Sequence, residues 1–223
     1  RLLVVDLGGS TLDLALVVLE GGEGRAAPIA QLLRLGGRSM ADHSRQKPRL
    51  AKVLGKAGLR LGGRDIDRWI TAACCPDRTP TAALLNAAER LKCRLSDPTL
   101  PANQELLELC IDPSDGSELT LKLSAARLDA LLNEQGFDRA LAQVLETTLT
   151  GGRQHGVNLS DLEGVVAVGG GAQLPWLRRW LVSNTSPAPL LTPPPVDAVA
   201  LGGLRLTPGV QVRDVLQNGV SLQ

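Results

Sequence analysis

Two glycine segments hold the residues whose types and spacing could do chemistry. In Val4-Val5-Asp6-Leu7-Gly8-Gly9-Ser10-Thr11-Leu12-Asp13 an apolar run meets an acid, passes a Gly-Gly turn with two hydroxyls, and resumes as a mostly apolar run to Leu19. Glycine opens backbone angles closed to other residues, and successive amides in such a turn make an anion-binding nest. Asp6, at the strand end, has the hard oxygen chemistry that holds a hydrated magnesium ion. Strand, turn and strand together predict a hairpin that cradles phosphate; a plain hairpin with a Gly-Gly turn shares the pattern.

The second segment runs from Gly164-Val165-Val166-Ala167-Val168 into Gly169-Gly170-Gly171-Ala172-Gln173-Leu174-Pro175-Trp176. A buried strand there feeds a glycine loop and then a helix, with Leu174, Leu177 and Leu181 at helical spacing and Pro175 in the first turn. A helix start behind glycines is a site for anions or nucleotides. A dinucleotide fingerprint is a poor match, because its third glycine falls at Leu174 and the strand comes late in the chain.

Between them, Ala83 to Ser96 reads as a helix with two stripes. Leu84, Ala88, Leu91 and Leu95 make a core face, while Glu89, Lys92, Cys93 and Ser96 fall at i, i+3, i+4 and i+7 on another. Taken alone, a solvated face explains that polar stripe.

In this order the segments resemble the ATPase domain of the seventy-kilodalton heat-shock chaperones of the DnaK type, in the actin and sugar-kinase superfamily. DLGGSTLD looks like the family's second phosphate loop, and LGGRDID (Leu61 to Asp67) like its LGGEDFD segment. AAERLKCRLS (Ala87 to Ser96) is similar to its adenosine-contacting helix. VVAVGGGAQLP (Val165 to Pro175) resembles its adenosine loop, and VDAVALGG (Val196 to Gly203) the segment after it. The resemblance implies an α/β fold: an actin-like, ribonuclease H-like lobe, residues 1–61 and 133–223, with a smaller α+β subdomain inserted at 62–132. It implies ATP or ADP with Mg as cofactors. Asp6 would act near the metal through water, catalytically with Thr11, and Gly8, Gly9, Ser10 and Thr11 would hold phosphates. Glu89, Lys92, Cys93 and Ser96 would line the ribose and adenine side, opposite Gly169, Gly170, Gly171 and Gln173.

Departures accompany the matches. Cys93 stands where the family stacks an arginine on adenine, and Arg94 lies about 100° round the helix. Arg64, Gln173 and Val196 replace a glutamate, an arginine and an aspartate. Ser10 replaces the third glycine of the loop, a change that requires an ordinary backbone angle there. Only the second lobe is matched: there is no first phosphate loop and no catalytic lysine and acid preceding the second. The chain opens at Arg1 on a core strand, which suggests an excised fragment. ATP hydrolysis is therefore expected only with the missing first lobe. A degenerate lobe kept as an interaction scaffold is the alternative, and a filament subunit or sugar kinase is a weaker one. Unfolded polypeptide and co-chaperones are the partners implied for the complete protein.

Composition agrees with a compact lobe. The chain has 223 residues, 43% hydrophobic and 21% charged, with a net charge of +1 that gives no general pull toward nucleic acid or acidic membranes. No apolar run reaches a membrane span and no signal pattern opens the chain, so a cytoplasmic protein is expected. Cys74, Cys75, Cys93 and Cys110 include no C-x-x-C pair, and Cys74 and Cys75 read as buried thiols of a reducing compartment. Helix Leu84 to Leu95, strands Leu106 to Ile111 and Leu119 to Leu123 joined at Asp115-Gly116, and a cap at Ser124 fill the insert. A long helix should follow from about residue 133. Residues 24–58 are unusually basic, with Asp42 the single acid. They lack interleaved aromatics and read as a solvated loop or helix, not a nucleic-acid surface. LRLGGR occurs at Leu33 to Arg38 and again at Leu59 to Arg64; the first copy reads as an insertion or a duplicated strand end. Ser186 to Pro195 reads as a stiff surface connection, and Trp176 and Trp180 as core.

Overall fold

The computed structural model describes residues 1–20, 49–194 and 210–213. In chain order the elements are β1 (Leu2–Leu7), β2 (Leu12–Glu20), β3 (Arg49–Leu59), α1 (Gly63–Cys74), α2 (Ala82–Leu95), β4 (Glu105–Ile111) and β5 (Glu118–Ser124). Then come α3 (Ala125–Glu134), α4 (Phe137–Arg153), β6 (Gly164–Val168), α5 (Pro175–Thr185), β7 (Leu190–Leu191) and β8 (Val210–Arg213). Six strands form one mixed sheet in the order β7-β6-β1-β2-β3-β8, and β4 and β5 form a separate antiparallel pair.

Period-2 patterning builds the large sheet. Leu3, Val5 and Leu7 of β1, Leu12, Leu14 and Leu16 of β2, and Val165 and Ala167 of β6 are all buried on one face. Helix α4 covers that face with Leu141, Val144, Leu145 and Leu149. Its approach to β3 is set by glycine: a Cβ on Gly55 would lie 2.2 Å from the Thr148 carbonyl oxygen, and one on Gly151 would lie 2.7 Å from the Gly55 Cα. Phe137, at the start of α4, touches Trp69 of α1 edge-on at 6.2 Å and Trp176 of α5 at 5.3 Å between ring centres. These rings join α1 to α4 and α5. Trp176 is buried and Trp180 packs partly against the same core, as core packing requires.

The end of the basic stretch differs from expectation. Residues 49–58 are not a solvated loop or helix; they lie in the eleven-residue strand β3, antiparallel to β2. A bulge disrupts its period: Leu16 pairs with Gly55 and Val17 with Val53, so Leu54 is an extra residue that breaks the alternation. The rest of the stretch, and the first LRLGGR copy, lie outside the described residues. The Pro-rich run is more than a connection, since Leu190 and Leu191 pair in parallel with Val165 and Val166 as an edge strand. The helical region from 133 is split at Gly136, whose φ of 72° ends α3 and starts α4. Cys74 and Cys75 are half-buried instead of buried, and the Cys74 thiol faces the Lys122 carbonyl at 3.5 Å. No helix among the described residues is long and apolar enough to cross a membrane.

Candidate functional site

The turn between β1 and β2 is closed by the Gly8 amide donating to the Thr11 carbonyl at 2.9 Å. Neither Gly8 nor Gly9 has a positive φ, so the expected need for special angles is not met there, and Ser10 has the ordinary angle its substitution requires. The demand for glycine lies one segment away. A Cβ on Gly62 would stand 2.6 Å from the Ser10 amide nitrogen and 2.7 Å from the Gly9 carbonyl carbon, so only glycine lets LGGRDID lie against the turn. Once there, the first amides of α1 dock on it: Gly63 donates to the Gly8 carbonyl at 3.0 Å and Arg64 to the Gly9 carbonyl at 2.8 Å. Asp65 caps the helix by accepting from the Gly62 amide at 2.8 Å. The start of α1 is thus occupied by carbonyls, while Gly9, Ser10 and Thr11 remain exposed.

At the other side of β1 lies the glycine loop. Strands β1 and β6 run parallel with Asp6 beside Val168, which brings Gly169 to the end of β1. Gly169 has a φ of 82°, and a Cβ on it would lie 2.5 Å from both Asp6 Oδ1 and the Leu7 carbonyl oxygen. Gly171 is packed against the Leu7 side chain, where a Cβ would meet Cγ at 2.3 Å, whereas Gly170 faces open space and Gln173 is exposed. Residues Gly170–Gln173 form a short 3-10 turn before α5, pinned by the Arg178 Nε donating to the Ala172 carbonyl at 2.9 Å.

Asp6 is not alone. The hairpin register places Asp13 directly opposite it, on the same face of the sheet. Burial, and then the neighbouring Asp13 charge, push the Asp6 carboxyl above the usual range. Sequence reasoning passed over Asp13, because its pairing with position 6 depends on where the turn is centred, which sets the register. Two carboxylates opposed across a ladder are unfavourable without a cation. Gly58, opposite Asp13 on β3, leaves room for it: a Cβ there would lie 2.3 Å from Asp13 Oδ1. The carboxylates share their cavity with Lys56, and their oxygens, open to water on the Asp13 side, could hold a magnesium ion that keeps most of its hydration.

Helix α2 packs against α1 and carries the polar stripe. Its Leu84, Ala88, Leu91 and Leu95 are buried as the spacing required. Thr81 caps it, accepting from the Leu84 amide at 3.3 Å. On the polar stripe, Lys92 points inward to α1: Nζ lies 2.7 Å from Asp67 Oδ1 and donates to the Gly63 carbonyl at 3.0 Å. Burial pushes the Asp67 carboxyl up, and Lys92 opposes that shift. Glu89 is exposed and within electrostatic reach of Asp67, and the Ser96 hydroxyl donates back to the Lys92 carbonyl at 2.9 Å. Cys93 is exposed. Arg94 does not substitute for the missing guanidinium, since its Nη1 donates to the Leu107 carbonyl at 2.8 Å and meets Glu108 at 3.1 Å, tying α2 to β4.

A family profile described as Hsp70 protein matches residues 1–218. The chain is 28% identical over 224 residues to chaperone protein dnaK1 of Prochlorococcus marinus strain MIT 9313, covering 99% of this chain and 31% of that protein. It is 29% identical over 200 residues to a chaperone protein HscA homolog of Variovorax paradoxus strain S110, covering 89% of this chain and 27% of that one. An HscA homolog of Acidithiobacillus ferrooxidans matches at 27% over 199 residues, with the same coverage of 89% and 27%. The chain therefore spans under a third of the length of these relatives. With the motifs in order, a mixed sheet of the actin-like kind and a family profile matched over nearly the whole length, the chain belongs to the Hsp70 family.

Proposed function

We propose that this chain is the second, ATP-binding lobe of a DnaK-type chaperone ATPase domain and supplies half of the nucleotide site. The observation that carries this is Gly169 lodged against Asp6 while Gly8 and Gly9 hold the first turn of α1, so that two glycine segments 160 residues apart flank one strand end. The amides and hydroxyls of Gly9, Ser10 and Thr11 would bind phosphates, and Asp6 with Asp13 would hold magnesium through water. Gly170, Gly171 and Gln173 would bound the nucleoside across from Glu89, Cys93 and Ser96. Magnesium when bound supplies charge neutralisation to the phosphates, and the protein's part is positioning and preorganised donors. Joined to a first lobe, the protein would hydrolyse ATP in the cytoplasm and couple nucleotide state to its hold on unfolded polypeptide, with co-chaperones as partners. Alone, the chain would fold without turning over ATP. Calorimetry with MgATP and MgADP tests binding, and a turnover assay tests inactivity; magnesium-dependent hydrolysis lost in Asp6→Asn would overturn the half-site assignment.

One observation favours a non-catalytic scaffold instead. Cys93 offers no plane for a base, and Arg94 is held on β4 by Leu107 and Glu108. Absence of heat at millimolar nucleotide, with both lobes present, would decide for the scaffold.

A further inference from the structure

The ammonium of Lys92 sits at the centre of a short chain of contacts. Asp67 holds it at 2.7 Å, and it holds the Gly63 carbonyl at 3.0 Å. Gly63 and Arg64 in turn donate to the carbonyls of Gly8 and Gly9 at 3.0 and 2.8 Å. Asp67 is almost fully buried and Lys92 nearly so, which makes the pair expensive to break and geometrically fixed. With both carbonyls of the turn engaged from below by α1, its exposed residues are left to face solvent.

We propose that Asp67 and Lys92 are positioning residues: the pair clamps the first turn of α1 against Gly8 and Gly9 and so presets the turn for an anion, with Lys92 held away from the ligand. The inference rests on the reading of that turn as a phosphate site. It differs in sign from direct contact. Were Lys92 a phosphate or ribose ligand, neutralising Asp67 would free its ammonium and tighten anion binding. As a clamp, losing Asp67 loosens Lys92 and α1, and binding weakens.

The probe is magnesium tripolyphosphate titrated calorimetrically into the full chain, beside Asp67→Asn, Lys92→Met and Lys92→Arg. Asp67→Asn and Lys92→Met should each weaken binding by about tenfold, the size of one charge-assisted contact, while Lys92→Arg retains most of the affinity. Amide exchange at Gly63 and Arg64 should quicken in Asp67→Asn. A second pair avoids the buried charges. Arg64→Pro deletes the amide that meets Gly9, at a helix position where proline is tolerated, and Arg64→Ala keeps it. Weaker binding in the proline variant than in the alanine variant is expected. Equal binding in that pair, or unchanged or tighter binding in Asp67→Asn, would overturn the clamp and leave the phosphate reading intact. Failure of the unmodified chain to bind either tripolyphosphate or MgATP would overturn the phosphate reading and the clamp with it.

Discussion

Lys92 of α2 and Asp67 of α1 form a buried ion pair, with Nζ 2.7 Å from Oδ1, at the root of the turn that carries Gly8 and Gly9. A lysine read from its spacing as part of a ligand-facing stripe is engaged inside the protein. Removing one partner strands the other charge, and Lys92→Met should cost about 3 kcal/mol in urea unfolding. Replacing both, as Lys92→Met with Asp67→Leu, should cost less than Lys92→Met alone, because no uncompensated charge is then buried.

Gly55 and Gly151 let α4 approach β3 more closely than any side chain allows. Gly55→Ala places a methyl 2.2 Å from the backbone oxygen of Thr148, and backbone cannot move aside as a side-chain tip can. A loss of about 3 kcal/mol is expected from such overpacking. Gly170→Ala, with nothing within 4 Å and no positive φ, should leave the melting temperature unchanged.

Asp6 gives a pH signature in chelator. Its folded carboxyl titrates above the usual value of 3.8, so the folded state binds its proton more tightly than the unfolded state. The penalty is present in full above the raised value, fades as pH falls through it, and vanishes below the unfolded value. Asp6→Asn should melt higher than the unmodified chain at pH 7, and the two curves should coincide near pH 3. In magnesium the same variant should lose metal binding, so the residue costs stability for the sake of a ligand.

Cys93→Arg should restore a cationic plane to the exposed face of α2 and tighten MgATP binding by roughly tenfold, within the range of cation–π stacking. Arg94→Ala should leave nucleotide affinity unchanged and lower stability, because Arg94 holds β4 at Leu107 and Glu108.

Much of this was legible in the residues. The β1–β2 hairpin, the β6 strand and the α2 core face follow directly from periodicity, and Ser124 accepts from the Arg127 amide as its position foretold. What escaped has physical causes. Strand β3 hides its alternation behind a bulge at Leu54 and two glycines. Strand β7 is two residues long inside a Pro-rich run. The pairing of Asp6 with Asp13 depends on register, and the capture of Lys92 by Asp67 depends on how two helices pack, which no local spacing encodes. The glycines mislead in a related way: the turn's Gly8 and Gly9 adopt ordinary angles, and the steric demand falls on Gly62 across the gap.

The most direct test of a shared nucleotide cleft is a titration of the isotope-labelled chain with MgATP, following backbone amide resonances. If the two glycine segments bind one ligand, the amides of Gly9, Ser10 and Thr11 and those of Gly170 and Gly171 should shift together, with one common dissociation constant. Shifts confined to one segment, or none at millimolar MgATP, would contradict it.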